Sequence, residues 1–222
     1  MTNTKVTIVD YGIGNLYSVK RAFEVCGADN ISISSDPAEI LSADRVVLPG
    51  VGAFADGMIG LQERGLDQAI REFAASGRPL LGICLGMQLF ATSSMEFGNH
   101  TGLDLIPGQV NAIPPTAQDG TVLKIPVIGW NPLQQPSYAD WSGSILASLT
   151  PEQSIYLVHS FHYTPDNQLH TLATYRYGGH DIIAAIKKDN ITGLQFHPEK
   201  SGKVGLAIIA AYLKQPLISK VS

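Results

Sequence analysis

The hydrophobic rhythm of the chain changes near its middle. In the first half, short apolar runs alternate with stretches of helical spacing. Val6 to Asp10 is a β-branched run that ends at Tyr11-Gly12. From Leu16 to Val25, positions Leu16, Val19 and Phe23 fall on one side of a helix, with Cys26 after them, and Gly27 stops it. Ile31 and Ile33 predict a second strand. Arg45 to Leu48 predicts a third, cut off by Pro49-Gly50. Leu61 to Ala75 predicts one amphipathic helix ended by Gly77. Leu80 to Ile83 predicts a fourth strand, and Met87 to Thr92 opens the next helix. Such alternation with short links predicts a parallel sheet with helices on both faces.

The second half is punctuated by Pro107, Pro114, Pro115, Pro126, Pro132 and Pro136. Val122 to Ile128, Ile155 to Val158, Leu172 to Tyr175, Ile182 to Ile186 and Ile191 to Phe196 predict strands, several paired antiparallel. Gly178-Gly179 fits a hairpin turn between two of them, and Val204 to Leu213 a closing helix. No repeat, low-complexity tract or long linker divides the chain. We expect one α/β domain over residues 1–222: an open mixed, mainly parallel sheet flanked by helices, with an antiparallel edge in the second half.

Composition narrows the classes. Of 222 residues, 45% are apolar and 15% charged, the balance of a compact protein rather than a disordered one. No uninterrupted apolar run reaches the roughly 18 residues that cross a bilayer, and Met1 to Lys5 lacks a signal-peptide pattern. We expect a soluble, cytoplasmic protein with no membrane partner. A net charge of −4 with no basic patch argues against nucleic acid. Neither Cys26 nor Cys84 has a second Cys or a His at metal-ligand spacing, so no metal is expected. Gly12-Ile13-Gly14 is part of a dinucleotide fingerprint, but Tyr17 stands where its third glycine belongs. No nicotinamide cofactor is expected, and no other cofactor.

Candidate chemistry centres on Gly82-Ile83-Cys84-Leu85-Gly86, which has the form of a nucleophile elbow between an apolar strand and a helix. Such a turn strains the backbone at the nucleophile, so residues packed close to it must lack a Cβ. The helix N-terminus after it favours a thiolate, and the Leu85 N–H points at a developing oxyanion. Alone, the five residues also fit a buried structural Cys between packing glycines. Cys26 sits late in a helix without a glycine frame, and we read it as structural.

A cysteine nucleophile needs a base, and the base a group that fixes its tautomer. Of six histidines, His197 follows the run Ile191 to Phe196, and Glu199 stands two residues later. Strand ends are where catalytic groups gather in an open α/β sheet. Alone, His197-Pro198-Glu199 also fits a solvated turn. Beside Cys84 it fits a base with its orienting acid.

Further segments stand in order with these. They are Asp10-Tyr11-Gly12-Ile13-Gly14-Asn15, Pro49-Gly50-Val51-Gly52-Ala53-Phe54, Ile128-Gly129-Trp130-Asn131 and Val158-His159-Ser160-Phe161. With Gly82 to Gln88 and Gln195 to Ser201, they resemble the class I glutamine amidotransferases, from Val6 to Leu213. Within that family they resemble the glutaminase subunits of imidazole glycerol phosphate synthases, in histidine biosynthesis.

The resemblance implies a flavodoxin-like fold and a triad of Cys84, His197 and Glu199 that hydrolyses L-glutamine through a glutamyl thioester. It implies an oxyanion hole from the backbone at Val51, Gly52 and Leu85. It implies glutamine held by Gly52, Gln88, His159, Ser160 and Phe161, partly through main-chain atoms. The ammonia is expected to pass to a cyclase subunit with a (β/α)8 barrel, an obligate partner. Asn15, Trp130, Asn131 and Lys200 match positions at or near that interface, although Trp130 fits core packing as well.

Two departures bear on the acceptor. Val127 stands where the family usually has His, and Phe161-His162-Tyr163 replaces the commoner aromatic pair after Ser160. Three other readings stay open: a paralogue supplying ammonia for amidination of a cell-surface sugar, a stand-alone cysteine amidase or peptidase, and a binding protein without catalysis.

Overall fold

The computed structural model describes residues 4–217. Seven strands form the main sheet. Four come from the first half: β1 (Lys5–Val9), β2 (Asn30–Ser34), β3 (Arg45–Gly50) and β4 (Leu80–Cys84). Between them lie helices α1 (Leu16–Val25), α2 (Pro37–Ser42), α3 (Phe54–Gln62) and α4 (Leu66–Ala75). A single turn of helix, α5 (Leu85–Gln88), follows β4 directly. The second half adds β5 (Ser93–Ser94), β6 (His100–Thr101), β7 (Gly108–Ala112), β8 (Val127–Pro132), β9 (Ser154–His159) and β10 (Phe161–Pro165). β11 (Thr171–Tyr177), β12 (His180–Lys188), β13 (Ile191–Leu194) and the closing helix α6 (Gly202–Leu213) complete it.

The order across the main sheet is β11-β12-β13-β4-β3-β1-β2. β13, β4, β3, β1 and β2 run parallel, whereas β11 and β12 form the antiparallel edge. The central strands are covered on both faces, so they read as continuous apolar runs rather than alternating ones. Alternate residues still go to opposite sides. Val47 and Leu81 join α1 and α6 in one core; Val46, Leu48 and Leu80 join α2, α3 and α4 in the other. β5, β6, β7 and β10 make a second, smaller sheet, and β8 with β9 an antiparallel ribbon. No helix among the described residues is long and apolar enough to cross a membrane.

The mixed sheet and its antiparallel edge are as expected; several elements are not. The helix expected over Leu61 to Ala75 is two helices. Gly65, at φ +65°, ends one and starts the next, a conformation that costs glycine little. The helix expected from Met87 to Thr92 begins earlier and lasts one turn. Val122 to Ile128 is mostly not strand: Val122 makes an isolated bridge to Thr116, and β8 begins at Val127. α2 went unread although its cap is visible in sequence. The Asp36 side chain accepts from Ala38 N–H at 2.9 Å, and Pro37 stands at the first helical position.

Candidate active site

The carboxyl ends of β3, β4 and β13 meet at one edge of the sheet, and each delivers part of the site. β4 ends on Cys84, held at φ 54° and ψ −111°, outside the ordinary regions for an L residue. Close packing enforces that turn. A Cβ on Gly86 would lie 1.8 Å from the Leu48 carbonyl oxygen, and one on Gly82 2.5 Å from the Phe90 ring. Both positions therefore require glycine.

β3 runs beside β4 with Gly50 opposite Cys84, so Val51 and Gly52 emerge next to the thiol. A Cβ on Gly50 would lie 2.0 Å from the Tyr11 hydroxyl. That phenol is held well above its ordinary range, first by burial and then by the charge on Cys84. Gly52 takes φ +101°, a second backbone feature that glycine meets without strain. The Glu96 carboxylate accepts from Phe54 N–H at 2.6 Å and so anchors the segment where it enters α3.

Beyond the end of β13, the buried His197 donates Nδ1–H to the Glu199 carboxylate at 2.8 Å. That bond leaves Nε2 for the thiol side, where no protein atom meets hydrogen-bond geometry among the described residues. Burial alone would lower the His197 pKa. Interaction with Cys84 and then Glu199 outweighs burial and raises it to about 10. The arrangement keeps the imidazole protonated beside the Cys84 sulfur. The helix after Cys84 adds little, because the dipole of a single turn is small.

A cavity of about 300 Å³ opens over Cys84. Val51, Gly52, Leu85, Gln88, His159, Ser160, Phe161 and His197 all line it, so the structure brings the residues named for the oxyanion hole and for glutamine together with the base. His159 reaches it with both ring nitrogens already engaged. Nδ1–H donates to the Phe161 carbonyl at 2.8 Å and Nε2 accepts from the Tyr175 hydroxyl at 2.8 Å. Burial, outweighing the Phe161 bond, lowers its pKa to about 4, so this ring is neutral.

A family model of the class I glutamine amidotransferases matches residues 7–213. The chain belongs to that family. The chain is 52% identical over 212 residues to imidazole glycerol phosphate synthase subunit HisH 1 of Legionella pneumophila (strain Paris). That match covers 95% of this chain and 99% of the relative. It is 45% identical over 207 residues to subunit HisH of Syntrophotalea carbinolica, covering 92% and 97%. PurLQS of Thermotoga maritima shares the fold, with a TM-score of 0.71 at 19% identity over 95% of this chain and 97% of that one.

In this amidotransferase, sequence reasoning missed three contributors. Glu96 and Phe97 line the cavity from a polar loop that carries no motif. Gln195 lies inside the segment that carries His197 and has the same strand parity, which was the available signal. The residues matched to an interface do not line this cavity. Asn15 is exposed and caps α1, Lys200 is exposed, and Asn131 is half-buried. Trp130 is 57% exposed and stacks edge-on with Tyr156, which corrects its alternative reading as core. The buried tryptophan is Trp141, whose indole N–H donates to the Leu172 carbonyl at 2.7 Å.

Proposed function

We propose that the whole chain acts as one glutamine amidotransferase domain: the glutaminase subunit of an imidazole glycerol phosphate synthase, making ammonia from L-glutamine for a cyclase partner. One observation carries this reading. A strained cysteine and a buried histidine coupled to it share one cavity with the family's glutamine-binding positions, and a buried carboxylate orients that histidine from behind.

The Cys84 thiolate attacks the carboxamide carbon of glutamine, its proton already on His197. The resulting oxyanion takes hydrogen bonds from backbone N–H groups at Leu85 and at Val51 or Gly52. A donor in such a hole contributes about 3 kcal/mol. The tetrahedral intermediate collapses, the C–N bond breaks, and His197 protonates the departing nitrogen as ammonia. Glu199 holds the imidazole in the tautomer that presents Nε2 to these steps. Water, giving a proton back to His197, then attacks the thioester and releases glutamate and the thiolate. Gln88 commits its amide hydrogens to Phe161 and Gln195, which leaves its carboxamide oxygen for the substrate.

The cyclase, a (β/α)8 barrel, docks on the surface that carries Trp130. Ile128 and Trp130 share the outward face of β8, both more than half exposed. A Cβ on Gly202 would lie 4.0 Å from the Trp130 ring, which ties this patch to the turn bearing Lys200. Exposed tryptophans are enriched among interface anchors. The protein works in the cytoplasm, where glutamine and the acceptor are found together.

The test is ammonia release from glutamine by the purified chain, alone and with a barrel cyclase and its acceptor. We expect turnover to rise with the partner and to be absent in Cys84→Ala. Equal turnover with and without the cyclase would sink the coupling. Stimulation by a sugar-modifying enzyme, and not by the cyclase, would assign the paralogous role. Cleavage of peptides but not of glutamine would make the protein a cysteine amidase.

A further inference from the structure

Gln195 is fully buried, touches the nucleophile and has no part in the mechanism above. Its carboxamide nitrogen lies 3.8 Å from Cys84 Sγ, and its oxygen accepts from Gln88 Nε2 at 3.0 Å. The same Gln88 nitrogen donates to the Phe161 carbonyl at 3.0 Å. That carbonyl also accepts the His159 Nδ1–H.

The direction of every bond in this series is forced. A peptide carbonyl can only accept, so Phe161 determines which end of the Gln88 amide faces it. With both Gln88 hydrogens committed, Gln195 must present its oxygen to Gln88. Turning it over would set two NH₂ groups against each other. Its own NH₂ group is thereby aimed at the sulfur. No member of the series carries a net charge, since His159 is neutral. The sulfur is the one member that becomes charged, and a hydrogen bond to a charged group is the stronger kind.

We propose that Gln195 is a catalytic residue: it donates a hydrogen bond to Cys84 Sγ that favours the thiolate, and its donor direction is set from the Phe161 carbonyl through Gln88. The bond helps twice. It supports the thiolate before attack, and it supports the same sulfur as it leaves during thioester hydrolysis. A thioester sulfur is a poor acceptor, so the bond is weak between those two moments. The inference deepens the proposed function and rests on Cys84 being its nucleophile.

Gln195→Met keeps the length of the side chain and removes the donor. Two readouts are compared with wild type: alkylation of Cys84 by iodoacetamide at neutral pH without glutamine, with Cys84→Ala as the blank, and glutamine hydrolysis in the cyclase complex. We expect alkylation about tenfold slower and kcat about tenfold lower, with KM within about twofold. A merely structural residue would not separate kcat from KM in this way. Alkylation and kcat both within twofold of wild type, in a variant whose thermal unfolding is normal, overturn the proposal. Should the variant not fold, the wild type carries the test. The side-chain amide proton of Gln195 then shifts downfield in its NMR resonance as the thiol ionises and loses that shift after alkylation. A resonance indifferent to alkylation overturns the proposal. Alkylation needs no glutamine, so a wild type that alkylates as described but never hydrolyses glutamine would sink the substrate assignment alone.

Discussion

The elbow around Cys84 and the β8–β9 ribbon contribute to the same cavity, yet they are built in opposite ways. Every residue from Gly82 to Gln88 is buried, and two of its glycines face backbone or ring atoms at distances no Cβ could share. The ribbon buries Val127, Ile155 and Leu157 but turns Ile128 and Trp130 outward. A nucleophile held in a strained conformation needs surroundings that leave it no alternative. A surface meant for another protein must instead keep apolar groups in water until the partner covers them. On the proposed reading, chemistry and delivery are thus separated: the rigid end of the sheet makes ammonia, and the exposed ribbon meets the protein that receives it.

Substitutions on each side should divide the same way. The largest effect belongs to Cys84→Ala, which should lower glutamine-dependent turnover more than a thousandfold while synthesis fed with external ammonia survives. Glu199→Gln comes next. It removes the charge that orients His197, and kcat should fall about a hundredfold at neutral pH.

The pH dependence follows from the same pair. The His197 pKa is raised to about 10 from an ordinary value near 6.5. Its contribution to stability is therefore complete below about 6.5 and is lost as pH rises through about 10. The acid that protonates the departing ammonia disappears over the same range. The alkaline limb of the kcat profile should lie near that value and move to lower pH in Glu199→Gln.

Gly86→Ala probes the frame rather than the chemistry. Its methyl group would collide with the Leu48 carbonyl. Urea denaturation should show a loss of about 3 kcal/mol, the upper end of overpacking costs. Trp130→Ala should have the smallest effect on the isolated chain, within about 0.5 kcal/mol of stability. Calorimetry with the cyclase should nevertheless show binding about tenfold weaker or more. A large loss of stability in Trp130→Ala, or none in Gly86→Ala, would erase the contrast between the two regions.

The parts legible in sequence are those with the simplest physics. β1, β3, β4 and β13 are buried on both faces, so each is a short apolar run ended by Gly, Pro or a polar residue. The elbow and the His197-Pro198-Glu199 turn were legible because each joins a reactive residue to a backbone constraint. The small sheet was not legible: β7 reads Gly-Gln-Val-Asn-Ala and alternates buried with half-buried positions, with no apolar run to mark it. β8 misled in the other direction. Ile128 and Trp130 point outward while Val127 is buried, and the run from Val122 gave the wrong start. Gln195 lay in plain view but took its meaning from Gln88, 107 residues away in sequence. No local pattern encodes that meeting.

The central claim is that the Cys84 sulfur carries the glutamyl group. The direct measurement is mass spectrometry of the complex, acid-quenched during steady-state turnover of glutamine. The account predicts a glutamyl adduct on the peptide that contains Cys84, absent in Cys84→Ala and accumulating when hydrolysis is slowed. Turnover that continues with no adduct on that peptide, or with an adduct on Cys26, would contradict it.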